Sequence, residues 1–450
     1  LLNDTDKQII ESIEKRIALN PDYWSFKEIR KKSGIHNIMR YPATMVPQML
    51  EELITILAAE TNSKNILDPF MGSGTVLVEG IKNKLNVYGI DINPMAYLLC
   101  KAKTQYVSTI SLEKEYTQLI NDIELGLPLK KIHHFTNIDK WFRKDIIIEL
   151  SKLKTRIESI SNKRVKLIFM ICFADTITDV KNSRSSTWKL HAKSTEQIEN
   201  FTYDVLNQFS KKLKLTISWY KSHLNEIKLN SQQKNSIGVK AKISCGDSRN
   251  LKKSLCLKDS SIDLIVTSPP YGDNGTTVPY GQYSSLHLFW LENNKEMKKF
   301  NTELFKTFSS VDSLSLGGKL YPMSFIHETE ILKQSKSLSD YINKLLIEKQ
   351  EKKARKVCSF IIDFSDSLRE QIDVLRSDGY MLLVVGNRKV HNITVPFDDI
   401  IKEIVSKKTF LVTSFQRNIY NKKIAKKVSK VGNSAVETMS KETILILRKK

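Results

Sequence analysis

An α/β fold with a mostly parallel sheet and helical insertions is predicted from three features of the 450-residue sequence. Two short apolar runs, NILD at 65–68 and NVYGID at 86–91, flank a glycine-containing turn and the helical stretch TVLVEGIKN. That order is a βαβ unit, which demands parallel strands and puts ligand sites at their carboxyl ends. Strand grammar then returns at AKISCGD (241–247) and SIDLIVTS (261–268), after a long helical interval.

The elements follow in order. Residues 5–60 read as helical: TDKQIIESIEKRIAL opens on a capping signal and sets Ile9, Ile10, Ile13 and Ile17 on one face. A second helix follows RYPATMVPQML, with Met49, Leu50, Leu53 and Leu57 at helical intervals. A helix from Pro94 to about Lys103 succeeds the second strand. The region 105–237 breaks the rhythm. Phe142, Ile146, Leu150, Leu153, Ile157 and Ile160 form one stripe, and Ile198, Phe201, Val205, Phe209 and Leu213 another. Between them lies a polar, basic loop at 181–193. Residues 272–340 read as irregular, with GDNGTT and SLGGKL as breakers, although YGQYSSLHLFWL (280–291) is aromatic enough to pack. A long helix carries Val357, Ile361, Phe364, Leu368, Ile372 and Leu375. After it come the strand GYMLLVVGN, the helix VPFDDIIKEIVSKK and two closing strands, read as edge strands joined by a basic loop at 417–433. The resulting division is 1–104 (N-terminal helices and cofactor half of a core), 105–237 (helical insertion), 238–271 (second half of the core), 272–340 (irregular insertion) and 341–450 (C-terminal core).

Composition narrows the function classes. Hydrophobic residues at 41% and charged residues at 27% describe a globular chain. Lys plus Arg total 71 against 49 acidic residues, a net charge of +22, which points to a polyanionic partner, nucleic acid ahead of a membrane surface. Cysteines at 100, 172, 245, 256 and 358 are scattered, without zinc spacing and odd in number, so a reduced, cytoplasmic setting is expected. The histidines show no ligand spacing, and no metal is expected. The longest dense apolar run, LIFMICFA, is far short of the roughly 20 residues of a membrane span. No secretory leader is evident, and a start at Leu1 suggests that a few residues precede it.

Two motifs carry chemistry. In LDPFMGSGT, Gly72 and Gly74 sit in the turn after the first strand, and the helix starting near Thr75 points free N–H groups into the same space. A tight structural turn would read the same. Asp91, however, ends the next strand, where a carboxylate accepts both ribose hydroxyls of an adenosine-type ligand; its bland alternative is a cap for the helix at Pro94. The turn lacks the Gly-Lys-Ser/Thr ending of a phosphate loop and the usual three dinucleotide glycines. An adenosine ligand without phosphates fits better, S-adenosylmethionine foremost. The second motif is IVTSPPYGDN (265–274), where a buried strand runs into two prolines that cannot donate to a ladder.

DPFMGSGT resembles the cofactor motif of DNA methyltransferases that act on exocyclic amines, and TSPPY resembles their catalytic motif. VYGIDINP is similar to the ribose-binding segment of that family, ISCGDSRNL to the segment beside the cofactor adenine, and RYPATMVPQML to the N-terminal motif packed on the methionine end. The resemblance covers roughly 35–110, 240–275 and 355–450. It implies a Rossmann-like methyltransferase fold with a mostly parallel seven-stranded sheet and S-adenosylmethionine as methyl donor. It implies cofactor contacts from Tyr41, Pro42, Asp68, Pro69, Phe70, Gly72, Gly74, Thr75, Asp91, Ile92 and Asp247, and catalysis by Ser268, Pro269, Pro270 and Tyr271. Double-stranded DNA is the implied substrate, in a restriction–modification setting with a cognate endonuclease, at the nucleoid in the cytoplasm.

The physical logic of SPPY follows. An exocyclic amine is a poor nucleophile because its lone pair is delocalised into the ring. A hydroxyl at Ser268 and a carbonyl at Pro269 can take its two hydrogens, the prolines hold both acceptors still, and Tyr271 offers a stacking face to a flipped base. A Pro-Pro turn that merely ends a strand is the alternative. Ser at 268 rather than Asp suggests N4-cytosine over N6-adenine within the resembled family. An RNA base-amine methyltransferase and a DNA-binding protein on an inactive methyltransferase fold are further alternatives. C5-cytosine chemistry is not expected, since no Pro-Cys occurs. DNA reading is expected from the insertions 105–237 and 272–340, with Arg417, Lys422, Lys423, Lys426 and Lys427 of the basic loop as a phosphate clamp, unless that loop is only a solvated lysine face.

Overall fold

In a computed structural model the protein is described over residues 2–28, 34–184, 188–229, 237–292, 297–420, 428–431, 434–437 and 439–450. Its centre is a seven-stranded sheet. The strands are β1 (Asn65–Asp68), β2 (Asn86–Asp91), β3 (Ala241–Cys245), β4 (Ile262–Thr267), β5 (Leu375–Val385), β6 (Thr409–Asn418) and β7 (Lys441–Lys449). Their order is β3-β2-β1-β4-β5-β7-β6. β1 pairs parallel with β2 and β4, β2 with β3, and β4 with β5, while β7 runs antiparallel to both neighbours. The closing strands were both expected at an edge. Only β6 is an edge; β7 is inserted between β5 and β6 because its Ile444, Leu445, Ile446 and Leu447 are apolar on both faces and must be covered on both. The strand order reverses between β1 and β4, so a crevice opens beyond their carboxyl ends.

Alternation along the strands divides the core. Ile66, Leu264 and Val266 face the helices α1 (Asp4–Leu19), α2 (Pro47–Thr61) and α3 (Thr75–Lys82); Leu67 and Ile265 face the long helix Glu351–Val374 on the other side. α1 starts slightly before the capping signal read at Thr5: Asn3 and Asp6 form a reciprocal capping box and Asp4 is already helical. Arg448 Nε donates to both Asp6 carboxylate oxygens at 3.1 Å and Tyr380 Oη donates to Oδ1 at 2.8 Å, locking α1 to β5 and β7.

The helical reading of 105–237 holds in outline, with one difference. The stripe from Ile198 to Leu213 is not one helix. A short helix ends at Glu199, and the next, Val205–Leu229, begins after Asp204, whose carboxylate caps the N–H of Asn207. The segment LIFMICFA lies inside a buried helix, Lys163–Val180. Arg40 ties this insertion to the core through two ion pairs, to Asp175 at 2.9 Å and to Asp179 at 2.6 Å, while Lys212 meets Asp179 at 2.6 Å within the insertion.

The region 272–340 is not irregular throughout. Tyr280–Leu291 is a helix buried on almost every side, with Tyr283, Leu286, Leu288 and Trp290 at 1% exposure or less. It escaped the sequence reading because a helix apolar all round shows no amphipathic period. The helix carrying Val357 ends at Val374; Leu375, expected on it, already opens β5.

Candidate active site

The crevice beyond β1 and β4 is a cleft open to solvent at its mouth. Ser268 and Pro270 after β4 line it together with Pro69, Phe70, Gly72 and Thr75 after β1. The side chain at 268 and the glycine turn therefore open into one space, as the parallel pairing of the two strands requires.

The turn has the shape its glycines predict. Gly72 has φ 42° and Gly74, which caps α3, has φ 77°; a methyl at Gly74 would meet Cys100 Sγ at 2.9 Å. Asp91 closes the turn from β2. Its Oδ2 accepts the Gly72 N–H at 2.9 Å and its Oδ1 accepts the Asn93 N–H at 2.8 Å. Burial lifts its carboxyl to about 6, against the pull of those two N–H groups. Behind the turn, buried Lys103 donates to the Ser73 carbonyl at 2.8 Å, and burial lowers its ammonium to about 8.

Asp68 ends β1 beneath the cleft. Its Oδ1 accepts the Thr267 hydroxyl at 2.6 Å and the Phe70 N–H at 3.0 Å, and its buried Oδ2 has no partner. Burial, which those two bonds only partly offset, raises the carboxyl to about 7. The Asp91 carboxylate lines the cleft, and acceptors of this kind fit a hydroxyl-bearing nucleoside such as S-adenosylmethionine.

Tyr41 lines the cleft as expected. Its ring stacks on Tyr280 at 5.9 Å, and its hydroxyl accepts Asn93 Nδ2 at 3.1 Å. Ala43, Thr44 and Met45 line the cleft beside it, whereas Pro42 does not. Ile92 and Asp247 also line it. The Asp247 carboxylate is gripped by Arg249, which reaches on to Asp363 at 2.8 Å. Asp68, Gly74, Pro269 and Tyr271 do not line the cleft; they support residues that do. Tyr271 is tethered by its hydroxyl, 3.1 Å from Ser268 Oγ and 3.0 Å from Glu442 Oε1.

Several lining residues escaped the sequence reading. Asn93 caps the helix Pro94–Thr104 through the Met95 N–H, a signal visible in DINP. Asn274, Tyr280, Val311, Ser315 and Leu316 come from the second insertion. Asn274 is fixed there by Asp312 and Ser315, each at 3.1 Å, and Asp312 Oδ1 also takes the Gly281 N–H at 2.8 Å. No local pattern announces these contacts. Of the proposed phosphate clamp, Lys422, Lys423, Lys426 and Lys427 lie outside the described residues. Arg417 belongs to β6, not to a loop. Arg417 is 7% exposed and its guanidinium is paired with Glu442 on the neighbouring strand.

Comparison with known proteins agrees with this geometry. A family model described as DNA methylase, of the N6/N4 methyltransferase group, matches residues 3–102. The type II methyltransferase M.MvaI of Kocuria varians is 34% identical over 460 residues, spanning 99% of this chain and 98% of that protein. M.MjaII of Methanocaldococcus jannaschii, also a type II methyltransferase, is 29% identical over 154 residues, 32% of this chain and 28% of that protein. Among solved structures, the rRNA methyltransferase aviRa of Streptomyces viridochromogenes covers 93% of this chain and 90% of that one at 10% identity. Its TM-score is 0.32, too loose a likeness to bear on the substrate.

Proposed function

Because the chain belongs to the exocyclic-amino DNA methyltransferases, we propose that it methylates the N4 amino group of cytosine in double-stranded DNA, as one half of a restriction–modification pair. Bound S-adenosylmethionine supplies an electrophilic methyl group on a sulfonium. The observation that carries the reading is that Ser268, the glycine turn and Asp91 share one cleft.

The residues divide the work. Asp91 takes the ribose hydroxyls, and Asp68 beneath the cleft holds the Phe70 N–H and the Thr267 hydroxyl in place. Tyr41 and Met45 shape the wall at the methionine end, and Gly246, Asp247 and Ser248 that at the adenine end. The cytosine leaves the duplex, since a stacked base cannot reach a cleft of this depth. Ser268 Oγ accepts one amino hydrogen and the Pro269 carbonyl the other. That localises the nitrogen lone pair and aims it in near-attack geometry. Tyr271, tethered through its hydroxyl, serves less as a stacking face than as a support for Ser268; Pro270 and Tyr280 are the apolar surfaces on offer to the base. Serine at 268 supports cytosine N4 over the N6 of adenine. The second insertion, which reaches the cleft through Asn274 and Ser315, is the better candidate for reading DNA beside the flipped base.

The deciding test is expression in a host without DNA methylation. Its DNA is then sequenced with detection that separates N4-methylcytosine from N6-methyladenine. N4-methylcytosine at one recurrent sequence is expected; N6-methyladenine there would overturn the base assignment. Ser268→Ala should abolish most turnover while leaving cofactor affinity intact. If the basic loop clamps phosphates, DNA affinity should fall steeply with salt.

A further inference from the structure

Behind Ser268 and its support Tyr271 stand two side chains that the reaction above leaves without a task. Ser268 Oγ lies 3.1 Å from Tyr271 Oη, and Tyr271 Oη lies 3.0 Å from Glu442 Oε1. Glu442 Oε2 accepts Arg417 Nε at 2.8 Å and Nη2 at 2.6 Å. The β6–β7 register places Glu442 directly opposite Arg417, so the sheet itself fixes the pair. The two charged side chains are only 6% and 14% exposed, which makes this contact, with two guanidinium nitrogens on one carboxylate oxygen, more than a surface ion pair.

The direction of each hydrogen bond follows from what each group can do. A carboxylate only accepts, so the Tyr271 proton must point at Glu442. Burial and the nearby Glu442 charge hold that phenol proton far above the ordinary tyrosine value. With its single proton committed, the Tyr271 oxygen can meet Ser268 only as an acceptor. Ser268 must therefore donate to Tyr271, and its remaining lone pairs are what it presents to the cleft. A serine without this backing could instead present its proton, which would repel an amino hydrogen.

We propose that Glu442, held by Arg417, acts through Tyr271 as a positioning residue that makes the Ser268 hydroxyl an obligate acceptor toward the target amine. This rests on the acceptor role given to Ser268 above. It turns a neutral hydroxyl, which is ambivalent, into a group with the polarity of a carboxylate. It also gives Arg417 a place behind the site and away from the DNA backbone.

The test is a double-mutant cycle on the full-length enzyme. Methyl transfer from labelled S-adenosylmethionine to unmodified duplex genomic DNA is measured for Glu442→Gln, Tyr271→Phe and the double variant, with cofactor affinity measured separately by calorimetry. Glutamine can donate as well as accept, so it frees the phenol to reverse. Each single variant should lose kcat by about tenfold or more, with KM and cofactor affinity unchanged. The double variant should be no slower than the slower single one, because Glu442 works only through Tyr271. Losses that multiply would mean independent structural roles and would overturn the proposal. Tyr271→Phe removes one oxygen and keeps the ring, so it remains informative if Glu442→Gln does not fold; full kcat in Tyr271→Phe also overturns the proposal. Ser268→Ala, run alongside, separates the two readings. An active Ser268→Ala removes the acceptor role itself. An inactive Ser268→Ala beside fully active Tyr271→Phe and Glu442→Gln removes only the relay.

Discussion

Asp68→Asn probes the most strongly perturbed carboxyl of the site. Asp68 is 1% exposed, and burial lifts it from 3.8 to about 7. Since the folded value is raised above the unfolded one, the stability linked to this group is fully present below 3.8 and is lost as pH rises through about 7. The span is about three pK units, or about 4 kcal/mol in all. Between about pH 5.5 and about pH 8 the share of that loss is about 2 kcal/mol, because part of it has already occurred below the lower value. Asparagine keeps the oxygen that serves Thr267 and Phe70 but cannot ionise. Its amide, left without a partner, costs about 1–3 kcal/mol at either pH and cancels from the comparison. Urea unfolding of ligand-free protein at the two pH values is the assay. Wild type should lose about 2 kcal/mol more than the variant between them. Identical pH dependence of stability in the two proteins would refute the burial argument.

Three further outcomes are expected. Asp91→Ala should weaken S-adenosylmethionine binding by about 1.5–3 kcal/mol while changing DNA affinity far less, as read by calorimetry and filter binding; equal losses would contradict the ribose assignment. Gly74→Ala should lower unfolding free energy by about 1–3 kcal/mol, since alanine must hold φ 77° with its methyl against Cys100 Sγ; an unchanged melting temperature would show that the turn relaxes freely. Asp175→Ala should cost about 1–3 kcal/mol, because Arg40 and Lys212 lose a shared carboxylate and keep only Asp179. It should also weaken cofactor binding, as Arg40 precedes the 41–45 wall of the cleft; a loss of stability with normal binding would separate the two.

Much of the core was written in local pattern. NILD, NVYGID and IVTS announce strands because apolar and β-branched residues there have no helical period, and the glycines between them admit a turn that other residues resist. Asp91 and Ser268 were legible because each stands at the carboxyl end of such a strand. The helix Tyr280–Leu291 was not legible, being apolar on every face. The break at Asp204 was hidden because both flanking segments continue the same stripe.

By itself the sequence determined the parallel core, the glycine turn, the carboxylate at the end of β2 and the proline-stiffened corner, since each depends on neighbours within one βαβ unit or one strand end. Only the tertiary structure decided that Arg417 faces Glu442 rather than solvent, that Tyr271 is tethered by its hydroxyl, and that residues 274–316 complete the cleft. The physical reason is range. Backbone period and turn chemistry act over a few residues, whereas a hydrogen bond between positions 171 apart exists only after β7 has slotted between β5 and β6.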